Sequence, residues 1–512
     1  MRLGRARSVG LVGLQATLVD VEASVGGGLP RTVIVGLPDA ALNEARERCR
    51  AALGNSGLAG WPQHLVTINL SPASLPKAGT HFDLAIIGAI LVANQSVPQV
   101  RLDDAVVMGE VGLDGSVRRV RGVLPAVLQA AAEGVGHAIV PWEHVREARL
   151  VEGITIHGVG SIDDLAALLR GEDLPERLPD AEPLPQRERE PDMADVAGQL
   201  EARWALEVAA AGAHHLSFKG PPGVGKTLLA ERLPGILPRL SSEEALEVAA
   251  IQSLSGLHVG GELPRRPPFS APHHSASVAA LVGGGSHIPQ PGAISLAHRG
   301  VLFLDEACEF SARALDALRT PLESGRIELA RVRAVARYPA RFQLVLAANP
   351  CPCGQAGVRS GTCTCAPSLI RRYGERLSGP ILDRIDITQT LRPMTQSYLR
   401  AARGTAEPSA VVAARVSAAR ERQRVRLAPL GFTTNAEVPG PVLRHDLPRP
   451  GGVALLDDAV TKGLLSARGV DKVLRLAWTV ADLAGVDKPR RDDVQVALAM
   501  RRGEELEEVR CG

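Results

Sequence analysis

Two stretches of this chain carry groups whose types and spacing suit phosphate chemistry. Residues 220–227 read GPPGVGKT. Small residues at Gly220, Gly223 and Gly225 let backbone amides curl round a phosphate, with Pro221, Pro222 and Val224 filling the loop between them. Lys226 is placed to reach β- and γ-phosphates, and Thr227 to offer a hydroxyl to Mg²⁺. Residues 301–306, VLFLDE, are four apolar residues followed by two acids, the pattern of a buried central strand that ends in a crevice. There Asp305 would hold Mg²⁺ through water and Glu306 would orient and polarise an attacking water. Taken singly, the acids also suit a helix N-cap and first-turn acid ahead of residues 307–318. Paired with the loop, they predict Mg²⁺-dependent hydrolysis of ATP.

Residues 343–348 read as another buried strand, with Asn349 at its end, where a short amide can hold the lytic water or sense a γ-phosphate. The next segment, CPCGQAGVRSGTCTC, places Cys351, Cys353, Cys363 and Cys365 within fifteen residues. That density suits one tetrahedral thiolate site for structural Zn²⁺, although the Cys-x-Cys spacing is tighter than a usual zinc knuckle. Disulfides are the competing reading and are rare in the cytoplasm. Cys49, Cys308 and Cys511 read as a core residue, a helix residue and a free tail thiol.

Other candidate groups are open to structural readings. His273 and His274 would point to opposite sides of a strand, which favours ordinary loop contacts over a two-histidine metal site. Arg331 and Arg333 share one side of an extended 328–335 segment: a solvated hairpin face, or cations lining the hole of a ring. Lys77, in SPASLPKAGTHFD, could serve a Ser-Lys hydrolase, but a turn and helix cap explain the stretch without further catalytic groups.

The elements that must position these residues fall into blocks. A chain of 512 residues has room for two to four domains. Strand-like and helical periodicities make residues 1–170 an α+β domain. Residues 171–195 carry five prolines among dense charge and read as an exposed tether. Residues 196–393 form the α/β nucleotide-binding core, and 394–512 a helical lid that includes an arginine-rich helix over 409–426. A net charge of +2 offers no bulk field for nucleic acid, and 3% aromatics argue against base stacking. No apolar run of membrane-spanning length appears, so the expectation is a cytoplasmic protein without a membrane partner.

Residues 71–83 are similar to the first domain of Mg-chelatase-like proteins, itself related to the Lon protease catalytic domain and to the second domain of ribosomal protein S5. The chain reads Lys77-Ala78-Gly79-Thr80, without the serine that Lon-type proteases carry before their Ala-Gly, so the resemblance implies a Lon-like scaffold without peptidase activity. GPPGVGKT, PFSAPHHSAS, LVGGGS, GVLFLDEACEF, LRTPLESG, AANPCPCG and RLSGPILDRIDI together resemble the Mg-chelatase-like AAA+ ATPases of the YifB/ComM type over nearly the whole chain. The resemblance implies a hexamer with a P-loop core, a helical lid and ATP turnover coupled to movement of branched or single-stranded DNA, alongside recombination proteins. It further implies that Asn349 is sensor 1, Arg384 an arginine finger acting in a neighbour's site, and Arg468 sensor 2. Ala293 and Arg299 stand where the family usually has glutamate and asparagine. A protein-remodelling motor and a magnesium chelatase motor subunit are the alternatives.

Overall fold

The computed structural model describes residues 2–36, 40–58, 60–77, 79–175, 190–285, 289–331, 334–357, 363–402 and 404–505. The chain opens with a long antiparallel hairpin, β1 (Arg2–Val12) and β2 (Gln15–Gly26), turned at Gly13 with φ +64°. With β3 (Arg31–Val35), β4 (Leu65–Ser71), β5 (Ala105–Val107), β6 (His137–Pro141) and β7 (Thr155–Val159) it builds a seven-stranded mixed sheet of order β3-β4-β2-β1-β5-β6-β7. The apolar run at 83–93, DLAIIGAILVA, forms a helix that is hydrophobic all round because it is covered all round. It crosses β1 at backbone distance: a Cβ on Gly4 would stand 2.0 Å from the carbonyl oxygen of Ala89. Strand β4 begins at Leu65, after Pro62 and a bend.

The second sheet is wholly parallel. Its strands are β8 (Leu216–Lys219), β9 (Phe269–Ser270), β10 (Val301–Leu304), β13 (Gln343–Ala348) and β14 (Ile387–Thr390), in the order β9-β10-β13-β8-β14. A two-stranded hairpin, β11 (Arg326–Ala330) and β12 (Val335–Pro339), stands apart from it. Lys219 pairs with Ala348 and Leu304 with Leu346, so Gly220, Asp305 and Asn349 all leave the sheet at its carboxyl edge.

The front sheet does not hang on a tether. Val9, Leu11, Val120 and Leu124 share a buried cluster with Leu254, Leu304 and Leu346 of the second unit. At that seam the amide of Gly122 donates to the carbonyl of Ser253, and the Leu124 amide to the Ser253 hydroxyl. Gly122 has φ +76°, and a Cβ there would lie 2.5 Å from Leu11 Cδ1 and 3.1 Å from Leu254 Cδ1. Residues 176–189 of the expected tether lie outside the described residues, but its end is docked. Met193 is buried, its amide donates to the hydroxyl of Ser409, and Arg232 donates to Asp192 and Asp195. The composition of 171–195 hid this because one apolar residue among many charges carries the contact.

The helical end includes α1 (Ser409–Leu427), α2 (Ala467–Ala484) and α3 (Arg491–Arg502). The arginines of α1 are largely engaged by partners. Arg415 pairs with Glu207 and Glu407, Arg420 donates to the carbonyl of Ala210, and Arg426 pairs with Asp482 while lying 4.3 Å over the ring of Trp478. Among the described residues no helix is long and apolar enough to cross a membrane.

A buried charge pair joins α2 to the nucleotide core. Lys472 Nζ donates to Asp386 Oδ1 at 2.8 Å, and the amide of His215 donates to Asp386 Oδ2 at 3.0 Å. Burial pushes the Asp386 carboxyl up, but Lys472 and His214 more than reverse this and hold it well below the usual carboxylate range. Lys472→Met leaves that carboxylate buried without its cation, a loss of about 3–5 kcal/mol. The unfolding midpoint at pH 7 should fall accordingly. Because Asp386 then takes up a proton more readily in the folded state, the deficit should narrow as pH drops toward 5. A variant matching the parent at pH 7 would show that the pair does not hold the lid.

Candidate nucleotide site

The GPPGVGKT loop closes tightly after β8. Gly223 and Gly225 adopt φ +78° and +97°, the left-handed region that glycine enters without steric cost. Gly220 is needed for a different reason: a Cβ would stand 2.6 Å from the carbonyl oxygen of Leu391. Lys226 opens a short helix, Lys226–Ala230, and its ammonium is buried. It donates to the carbonyls of Gly220 at 2.7 Å and Pro221 at 2.9 Å and to Asn349 Oδ1 at 2.9 Å. Burial lowers its pKa, against the pull of Asp305 and Glu306.

Thr227 Oγ1 donates to Asp305 Oδ2 at 2.7 Å, and the other carboxylate oxygen accepts the amide of Glu306 at 2.9 Å. The hydroxyl expected to bind Mg²⁺ directly and the carboxylate expected to hold it through water thus stand side by side, oxygen donors of the kind a hard cation takes. Neither acid's side chain caps a helix. Glu306 has φ +49°, a short 3-10 turn comes next at Ala307–Glu309, and no side-chain cap bond is made. The helix proper starts at Ala312, capped by Ser311.

The cleft also includes two histidines that the sequence did not place there. His273 and His274 sit in a turn after β9, not in a strand, and their rings lie 4.1 Å apart at 34° instead of pointing to opposite sides. His274 Nδ1 is 3.1 Å from Glu306 Oε2. Since β9 runs parallel to β10, the loop after it is delivered beside Asp305 and Glu306. These acids, Thr227, Phe269, Phe303 and both histidines line one open cleft. The signal available was positional: a polar segment directly after the strand that neighbours the acidic one.

Cys351, buried, begins two residues after Asn349. Its sulfur is 3.3 Å from that of Cys353 and 3.8 Å from that of Cys363, and Cys353 is 3.6 Å from Cys363. All four sulfurs lie within 4.8 Å of one another, and none of the four is in a disulfide. A tetrahedron with Zn–S bonds of about 2.3 Å has edges of about 3.8 Å, so the donor set fits zinc. The backbone amide of Gln355 and the neighbouring thiols bring Cys353 down to about 6. The clip also touches the nucleotide loop: a Cβ on Gly354 would stand 2.4 Å from Pro222 Cδ.

The remaining candidates are dispersed. Arg384 ion-pairs with Glu323 and donates to the carbonyl of Pro380 at 2.6 Å. Arg468, in the first turn of α2, is exposed and lies 3.4 Å from Asp383. Arg331 belongs to the turn of the β11–β12 hairpin and not to an extended strand; it donates to the carbonyls of Gly285 and Ala330. Arg333 lies outside the described residues. Arg299 is bound by Glu244 and Glu247, and Ala293 opens a one-turn helix. Lys77 is buried and donates to the carbonyl of Pro72, the turn reading of that stretch; burial lowers its pKa.

Three family models match in turn: subunit ChlI of Mg-chelatase over residues 21–144, magnesium chelatase subunit ChlI over 192–399, and the ChlI C-terminal region over 406–501. An uncharacterised protein of Mycobacterium tuberculosis is 53% identical over 507 residues, covering 98% of this chain and 99% of its own length. The protein YifB of Escherichia coli is 41% identical over 98% of this chain and 97% of its own. The competence protein ComM of Haemophilus influenzae is 39% identical over 98% of both. Lon protease 2 of Bacillus subtilis matches a shorter part, 30% identical over 157 residues. The mixed α/β core, its nucleotide-binding architecture and this end-to-end similarity agree: the chain belongs to the Mg-chelatase-like AAA+ ATPases of the YifB/ComM type.

Proposed function

We propose that this protein is a hexameric, ATP-driven motor that moves branched DNA. The observation that carries the ATPase half is the meeting of Lys226, Thr227, Asp305, Glu306 and Asn349 at one edge of a parallel sheet. Thr227, through its hydroxyl, and Asp305, through water, would hold Mg²⁺, which would supply positive charge beside the phosphate oxygens. Glu306 orients the attacking water, and Asn349 fixes Lys226 at the phosphate end of the loop. Glu306→Gln should keep ATP binding and lose turnover by a factor of about 10²–10⁴, the range for a removed general base. A variant hydrolysing ATP at the parent rate would refute the assignment.

Arg384 serves a neighbouring subunit in this reading, supplying positive charge where it develops on the γ-phosphate. Its intrachain partner Glu323 is mostly exposed and can release it at a subunit interface. Arg468, near the start of α2, reports the nucleotide state to the lid. Mixing Lys226→Ala with Arg384→Ala subunits should restore part of the activity that each lacks, and absence of oligomers under ATP would exclude the arrangement.

The four-cysteine clip holds one Zn²⁺ in this proposal, tying the chain after Asn349 into a fixed loop. Metal analysis of protein purified without added zinc should give about one equivalent per chain. A value near zero with four freely titrating thiols would remove the site.

The DNA half rests on similarity to the competence protein ComM and on the β11–β12 hairpin, whose turn carries Arg331 and, in sequence, Arg333. Phosphate contacts from such a hairpin grip without reading bases and weaken with salt. The front domain is a Lon-like scaffold in this reading. It lacks peptidase chemistry because Lys77 is committed to the Pro72 carbonyl and no serine stands immediately before Ala78-Gly79. A synthetic four-way junction should be resolved into duplexes with ATP but not with a non-hydrolysable analogue. Lys226→Ala should abolish that activity and Arg331→Ala/Arg333→Ala weaken it. If no DNA form binds or stimulates hydrolysis while a protein client does, a protein-remodelling motor replaces this reading.

A further inference from the structure

We infer that the front domain carries an oxyanion site, built from Arg101, His137 and His157, that takes a phosphate monoester. The site belongs to the seven-stranded sheet, whereas the nucleotide cleft belongs to the parallel one, and it stands independently of the motor reading. Its floor follows from strand register. β5, β6 and β7 run parallel, with Ala105 opposite His137, Val107 opposite Ile139 and Ile139 opposite His157. Partners in register and residues two apart share a face, so His137, Ile139 and His157 point the same way. On that face they meet the end of the helix Ile162–Arg170 and the turn that leads into β5. A cleft of about 190 Å³ lies between these elements, lined by Arg101, Asp104, both histidines and apolar side chains that include Leu168 and Leu169.

The basic groups of this cleft are not matched by an acid. Arg101 is exposed, and among the described residues its guanidinium makes no hydrogen bond or ion pair. A Cβ on Gly171, the left-handed residue that ends the helix, would stand 3.3 Å from Arg101 Nη2, so glycine there leaves the guanidinium its space. His137 Nδ1 lies 3.1 Å from His157 Nε2, and both rings are half-buried. One of these two nitrogens carries the proton and the other accepts it. Burial, then His137 and Arg101, lower the His157 pKa. Asp104, the acid of the cleft, is held by backbone: Oδ1 accepts the amide of Gly136 at 3.0 Å, and a Cβ on Gly136 would stand 2.3 Å from Oδ2. Its neighbour Asp103 accepts from Gln99 at 2.8 Å. On the helix, Arg170 donates to the carbonyl of Ser96 at 3.4 Å, and Asp163 and Asp164 belong to the first turn, at the far end.

A phosphate monoester brings about two negative charges and three acceptor oxygens. Its oxygens suit the fork of Arg101. A second proton on the histidine pair would set two N–H groups face to face, which the direct ring contact excludes; an oxyanion that accepts from both rings removes that conflict. Binding is therefore linked to proton uptake, and affinity rises as pH falls through the range in which the pair takes up its second proton. Sulfate is the probe, because its own charge stays constant between pH 5.5 and 7.5. Calorimetric titration of the full chain, with a non-hydrolysable ATP analogue filling the nucleotide site, should show sulfate binding about tenfold tighter at pH 5.5 than at pH 7.5, the factor for one linked proton over about one pH unit. Arg101→Gln and His157→Gln should each weaken it about tenfold or more at pH 5.5, as loss of a charge-assisted hydrogen bond does, and Arg101→Lys should recover part of the first loss. Glycerol phosphate and a 5′-phosphorylated dinucleotide should displace sulfate where their unphosphorylated forms do not. Preference for the first marks a small free ester as the ligand, and preference for the second a nucleic-acid end. Equal sulfate affinity at the two pH values, equal affinity in the parent and in Arg101→Gln, or displacement by neither phosphate ester overturns the inference.

Discussion

A buried ammonium needs acceptors, and the geometry of this site is set by how Lys226 obtains them. Two come from the backbone of its own loop, at Gly220 and Pro221, and the third is Asn349, at the end of a neighbouring strand. The third bond makes the loop and β13 a single unit. The segment after β13 is then bound to the nucleotide loop as well, and that is where the four cysteines lie. Gly354 returns to touch Pro222, so the chain leaves the phosphate loop's partner strand, turns through the clip and comes back to the loop itself. The four sulfurs, all within 4.8 Å of one another, gather that stretch beside the loop.

The acidic side of the site is organised by the same principle of prior contact. Thr227 and the Glu306 amide donate to the two oxygens of Asp305, so protein groups fix the carboxylate's orientation. Preorganisation of this kind lowers the reorganisation needed when charge develops on the phosphate. Glu306 also stands beside an element outside the loop and its two flanking strands, with Oε2 at 3.1 Å from His274 Nδ1.

Much of this site was legible because the P-loop and acidic pair depend on short-range rules. Glycines at left-handed positions, an apolar run ending in acids and cysteines crowded within fifteen residues each report local geometry. The mixed front sheet and the parallel core were readable as classes from periodicity. Sequence reasoning failed where contacts are long-range. His274 reads as a loop residue until the parallel pairing of β9 and β10 is known. Arg331 reads as part of an alternating strand, but the hairpin turns there and its guanidinium satisfies backbone carbonyls. The arginines of the 409–426 segment read as a charged face, yet Arg420 is turned inward to a helix carbonyl and Arg426 to Asp482 and Trp478. Side-chain direction in a helix depends on which neighbour covers it, and neighbours distant in sequence leave no trace in spacing.

The seam between the front domain and the core bears on how a motor of this shape transmits force. The turn of the β1–β2 hairpin meets the β11–β12 hairpin backbone to backbone, since a Cβ on Gly13 would stand 2.9 Å from the carbonyl oxygen of Arg337. On its other side the same hairpin is tied by Tyr338, whose hydroxyl donates to the carbonyl of Pro289, and by Arg331 at Gly285. Val9 and Leu11 of β1 lie in one apolar cluster with Ile327, Ala336 and Tyr338 of the hairpin. Close-packed interfaces deform little before they separate. A displacement of the arginine-bearing hairpin is therefore either carried into the front sheet or dissipated in breaking that contact. A loosely tethered front domain could move without the hairpin; here the two share one apolar core.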